Sequence, residues 1–80
     1  MWEVRAHPEG FRDLLAWVCE VAVPGIEANP LHAGSEIFSS IDHRIVVISR
    51  WRRDTEPLPD PPGHLVARKP HAWDFSPVDR

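Results

Sequence analysis

Residues 35–51 read "SEIFSSIDHRIVVISRW". Two runs rich in β-branched and aromatic residues flank Asp42 and His43, the pattern of a strand, a tight turn and a second strand. "DH" is not the "DG" or "NG" that two-residue hairpin turns favour. Pairing Ile41 with Arg44 places Ile37, Ser39, Ile41, Arg44, Val46, Ile48 and Arg50 on one face. Glu36, Phe38, Ser40, Ile45, Val47, Ser49 and Trp51 then take the other. Strand 44–51 therefore carries apolar residues on both faces: Val46 and Ile48 on one, Ile45 and Val47 on the other. An antiparallel sheet with one wet side shows a polar outer face. This strand calls for cover on both sides.

The chain offers one long helix to do so. In residues 11–23, "FRDLLAWVCEVAV", Phe11, Leu14, Leu15, Val18 and Ala22 fall on one apolar stripe. Trp17 and Val21 widen it, and Cys19 reads as a small buried residue. The "PG" at 24–25 is expected to stop the helix, and residues 26–34 to form a loop. Upstream, "MWEVRA" alternates, with Trp2, Val4 and Ala6 on one face of a first strand. Downstream, residues 54–63, "DTEPLPDPPG", hold four prolines and read as an extended linker. Residues 64–69, "HLVARK", are expected to make one or two helical turns, and 71–76, "HAWDFS", a short last strand ended by Pro77. The order is strand, helix, strand, strand, short turn, strand: one α+β domain over residues 1–80.

Eighty residues bury only about 60–65% of their unfolded surface, and a core this small usually needs reinforcement. A single cysteine excludes an internal disulfide. His64, His71 and Asp74 match no strong metal-site spacing, so no metal is expected. Association of two copies through the open sheet face is the remaining way to enlarge the core, and two-fold dimers are the commonest closed form. Each Ile or Val buried there contributes roughly 1.5–3 kcal/mol, against a total stability of about 5–15 kcal/mol.

The net charge of −3 argues against nucleic acid or an anionic membrane as partner. Arg50, Arg52 and Arg53 are offset by Asp54 and Glu56. The first ten residues have no apolar core of a signal peptide, and no apolar run approaches the ~20 residues of a membrane span. A soluble, cytoplasmic protein is the expectation.

The opening "MWEVRAHPEGFRDLLAWV", the hairpin "GSEIFSSIDHRIVVISRW" with Trp51 at the end of its third strand, and His64 after that strand resemble the antibiotic-biosynthesis-monooxygenase-like group of dimeric α+β barrels. The resemblance spans about residues 1–75. It implies a ferredoxin-like antiparallel sheet with βαββ(α)β order, one main helix and a truncated second one, its sheets packed face to face in a dimeric α+β barrel. It also implies a site between helix and sheet, with Trp17, Phe38, Trp51 and Trp73 lining it and His64 or His71 as base. From the residues themselves, the arginines at 50, 52 and 53 read first as the solvated end of a strand or as partners of carboxylates across the dimer, and Arg50 second as a contact for an anionic small molecule. Haem-degrading members carry an asparagine on the first strand; here Asn29 lies in a loop. The same residues admit a plainer reading, with tryptophans as packing anchors and histidines as surface hydrogen-bonders.

Two functional expectations follow, neither needing a cofactor. One is a small homodimer that binds an apolar or aromatic ligand, or a partner. The alternative is a cofactor-independent monooxygenase-like enzyme acting on a phenol or quinol.

Overall fold

The computed structural model describes residues 1–53, 55–74 and 78. Asp54, and the Phe75, Ser76 and Pro77 assigned above to the end of the last strand, lie outside the described residues. Among the described residues four strands form one antiparallel sheet: β1 (Trp2–Ala6), β2 (His32–Ser39), β3 (Arg44–Trp51) and β4 (Val66–Ala72), in the order β2-β3-β1-β4. This is the order of a ferredoxin-like sheet, with the helical crossover between β1 and β2 present. Where a second helix would stand, the chain runs without helix or strand from Thr55 to Pro62 and makes one 3-10 turn, Gly63–Leu65.

The helix differs from expectation at its end. It begins after a 3-10 turn (Pro8–Gly10) as α1 (Phe11–Trp17), widens into a π-helical segment (Val18–Ala22) and continues as α2 (Val23–Glu27). "PG" does not stop it. A proline inside an α-helix lacks an N–H and crowds the carbonyl four residues back. Here the Val23 N–H reaches back five residues to the Val18 carbonyl, and Pro24 falls in the first turn of α2, where a missing N–H costs little. Leu14, Val18, Ala22, Val23 and Ile26 are buried. Trp17 is half-buried against the core. Val21 and Cys19 are exposed, contrary to the wider stripe read from the sequence; Cys19 lies about 100° around the helix from Val18.

The alternation of β1 holds: Trp2, Val4 and Ala6 are buried beneath the helix. Ile45 and Val47 of β3 join them, and Leu65 closes the side. Leu65 is held by the His7 N–H, which donates to its carbonyl at 3.1 Å. Adding a Cβ to Gly10 would bring it within 3.1 Å of the Leu65 side chain, so the turn before α1 and the turn before β4 touch closely.

The hairpin register is shifted by one residue from the pairing derived above. Ser39 pairs with Ile45, Phe38 with Val46 and Ile37 with Val47. The connection is longer than two residues. The Ser40 N–H donates to the Arg44 carbonyl at 3.0 Å, the His43 N–H to the Ser40 carbonyl at 3.2 Å, and the Ser40 hydroxyl to Asp42. His43 takes a left-handed conformation, φ 63°, and Ile41 projects fully into solvent. A one-residue slip exchanges the faces of a strand. Ile37 therefore faces the helix side with Ile45 and Val47, and Phe38 faces the open side with Val46 and Ile48.

The end of the chain also differs. The last strand is Val66–Ala72, so most of "HLVARK" is strand rather than helix. The free edge of β1 accepts it, pairing Ala6 with Val66, Arg5 with Arg68 and Glu3 with His71. Pro70 is tolerated because β4 is an edge strand. Arg68, Lys69 and Pro70 are residue types that discourage further strands from adding there.

Candidate functional site

Pairing between β1 and β3 ends at Trp2 and Val47, while β3 continues to Trp51. The overhanging residues Ser49, Arg50 and Trp51 border a cleft of about 810 Å³. Met1 and Trp2 form its second wall and Ala72 and Trp73 a third, and the proline-rich linker crosses it at Thr55–Leu58. Its volume lies within the range of small-molecule sites.

Each wall has an identifiable support. Trp2 is held in the sheet and nearly buried. Trp73 is tied to the start of β1 by paired backbone bonds: its N–H donates to the Met1 carbonyl at 2.7 Å, and the Met1 amine donates to its carbonyl at 2.5 Å. Its ring stacks on His71 with centroids 5.9 Å apart. Leu58 packs on the core. Glu56 accepts a 3.0 Å bond from the Asn29 amide, whose oxygen accepts the Leu31 N–H at 2.9 Å. The linker is thus tied both to the core and to the loop that follows α2.

Trp51 packs edge-on against His32, centroids 5.2 Å apart. His32 Nε2 lies 2.6 Å from the Ser35 hydroxyl, and Ser35 lies 3.0 Å from the Ser49 hydroxyl. These three polar side chains form one hydrogen-bonded chain, half-buried beside the cleft. None of the three stands out in the sequence: His32 falls in the expected loop 26–34, and His32 and Ser35 differ in strand parity. The irregularity between His32 and Gly34 in the β2–β3 pairing brings both to the same side, and nothing in the residue pattern announces it.

The expected site residues are only partly brought together. Trp51, Trp73 and Arg50 line the cleft. Arg50 also pairs with Glu36 at 3.1 Å and lies over Gly34, where a Cβ would come within 2.7 Å of the guanidinium. Trp17 packs into the core from α1. Phe38 stands on the open sheet face, 47% exposed. His64 is exposed in the 3-10 turn and His71 is exposed on β4; neither lines the cleft. Arg53, Glu56 and Asp74 add charge of both signs to the lining. Among the described residues no three His, Cys, Asp or Glu side chains cluster as a metal site requires.

The open face is mixed. Phe38, Val46 and Ile48 form an apolar strip, with Phe38 and Ile48 47% and 39% exposed. Ion pairs border it: Arg50 with Glu36 at one end, and at the other Arg5 and Arg44 with Asp42, and Arg44 with Glu3. The Arg44 Nε contact with Glu3, 2.7 Å long, is an ion pair without hydrogen-bond alignment.

The architecture defines a small α+β protein with one helical layer on an open, ferredoxin-like four-stranded sheet. No protein-family model, curated protein or solved structure matches the chain. No helix among the described residues is long and apolar enough to cross a membrane.

Proposed function

We propose that the chain works as a homodimeric α+β-barrel protein, akin to the antibiotic-biosynthesis-monooxygenase-like group, that binds a small aromatic ligand in the cleft beside Trp51. The observation that carries this reading is the cleft itself: about 810 Å³, bordered by Trp2, Trp51 and Trp73. Indole rings offer flat apolar surface to an aromatic guest, and offset or edge-on ring contacts add about 0.5–1.5 kcal/mol each. Binding is preferred over catalysis because neither His64 nor His71 borders the cleft, which leaves the oxygenase alternative without its expected base. The apolar strip Phe38–Val46–Ile48 supports a two-fold dimer through the open face.

A thermal-shift series with single-ring and two-ring aromatics tests the ligand reading, the expected result being a concentration-dependent rise in midpoint. No rise for any compound at millimolar concentration would remove it. Light scattering after size exclusion tests the dimer. A species of 9.1 kDa at every concentration would sink that part.

A further inference from the structure

The chain His32–Ser35–Ser49 ends at the cleft wall, and its chemistry sets what the cleft's polar contact can be. The geometry points to Ser49 as a hydrogen-bonding subsite for an aromatic ligand with one polar oxygen, either hydroxyl or carbonyl, whose polarity is set through Ser35 by His32. This rests on the cleft being the ligand site.

The argument is one of donors and acceptors. Neutral imidazole has one N–H and one bare nitrogen, and each serine hydroxyl has one hydrogen to give. With the hydrogen on Nε2, His32 donates to Ser35 at 2.6 Å, Ser35 donates to Ser49 at 3.0 Å, and the Ser49 hydrogen is left for the cleft. A ligand carbonyl then accepts it. With the hydrogen on Nδ1, Nε2 accepts from Ser35, Ser35 accepts from Ser49, and Ser49 presents lone pairs. A ligand hydroxyl then donates to it. The two arrangements differ only in hydrogen positions. A lone serine beside the ligand would offer both modes in any case. The chain adds that each mode leaves no inner hydroxyl unsatisfied, which is what gives a half-buried polar network its value. The edge-on ring of Trp51 fixes the imidazole plane at one end, and the direct cross-strand pairing of Ser35 with Ser49 fixes the other. Ser49 is therefore the binding residue, and Ser35 and His32 are positioning residues.

The test is calorimetric titration of the full chain with phenol, acetophenone and toluene, which match in ring and differ in the polar atom. Wild type is expected to bind phenol and acetophenone roughly threefold to tenfold more tightly than toluene, the worth of one hydrogen bond. S49A is expected to erase that advantage for both while leaving toluene unchanged, and S49T, which keeps the hydroxyl, to restore it. H32F keeps a ring against Trp51 but removes both the donor and the acceptor, so the Ser35 hydrogen is left without an acceptor when Ser49 accepts from a ligand hydroxyl. It is expected to weaken phenol selectively and spare acetophenone, and H32Q, with both donor and acceptor, to recover phenol. A merely structural role for His32 would shift all three ligands together. Binding of all three with equal strength, or S49A binding phenol as wild type does, overturns the subsite and leaves the cleft standing. Binding of none removes the cleft reading and the subsite with it.

Discussion

Arg5 and Arg44 stand directly opposite each other on neighbouring strands, a like-charge pairing that by itself destabilises a sheet. Asp42 resolves it. One of its carboxylate oxygens lies 3.1 Å from Arg5 and 3.3 Å from Arg44, and Glu3 lies 2.7 Å from Arg44 on the other side. The hairpin turn is thereby fastened to β1 as well as to its own strands.

The Ser40 hydroxyl, donating to Asp42, holds that carboxyl below its ordinary value of 3.8; loss of hydration opposes it, and Arg44 and then Arg5 add to the lowering. A carboxyl whose folded value is depressed contributes stability above its unfolded value and loses it as pH falls toward the folded one. Thermal midpoints measured through and below pH 3.8 should therefore fall more steeply in wild type than in D42N, which lacks the titrating group. Parallel acid limbs would show that the turn contributes nothing through this charge.

Leu14 and Ile45 are fully buried on facing layers. Replacing either with alanine leaves a cavity and should cost about 2–5 kcal/mol, a large share of the stability of any small domain. Urea denaturation gives the number. A loss under 1 kcal/mol would mean the helix does not pack on β3 as described.

Phe38 pairs with Val46 on the open face and is 47% exposed. F38E should leave the fold intact, since the ring touches no helix-side core. It should convert a dimer to a 9.1 kDa monomer in light scattering. An unchanged dimer mass would place the contact elsewhere.

His43 holds φ 63° while its ring meets Phe11 edge-on, centroids 5.5 Å apart. Glycine relieves about 1–2 kcal/mol of left-handed strain and forfeits about 0.5–1.5 kcal/mol of ring contact. H43G should therefore unfold within about 1 kcal/mol of wild type. H43V keeps the strain, adds β-branching and loses the ring, so it should be clearly less stable than both. Equal midpoints for the valine and glycine variants would mean that the turn does not impose this angle.

Much of the frame was legible because it rests on periodicity. Trp2, Val4 and Ala6 alternate, the helix stripe starts at Phe11, and the prolines of 57–62 exclude regular structure. What was not legible depended on geometry that residue types do not encode. The hairpin register turned on a connection longer than the two residues read, so Ile37 and Phe38 exchanged faces. β4 formed because β1 had a free edge for Val66–Ala72, a tertiary cause acting against a locally helical "HLVARK". The cleft-side chain of His32, Ser35 and Ser49 exists because an irregularity beside Gly34 changes strand parity. Of the expected site, Trp51, Trp73 and Arg50 border one cleft, while Trp17, Phe38, His64 and His71 stand apart from it.

The π-helical segment has a geometric corollary. In an unbroken α-helix, residues nine apart lie about 180° apart around the axis, so Leu14 and Val23 would look in opposite directions. Both are buried. The wide turn at Val18–Ala22 acts as a phase adjuster, rotating α2 so that Val23 and Ile26 come round to the sheet. The extra residue in this turn is thus absorbed as angle: with one residue removed, a regular α-helix would set Val23 eight and Ile26 eleven residues after Leu14, about 80° and 20° around the axis, and α2 would keep its face toward the sheet.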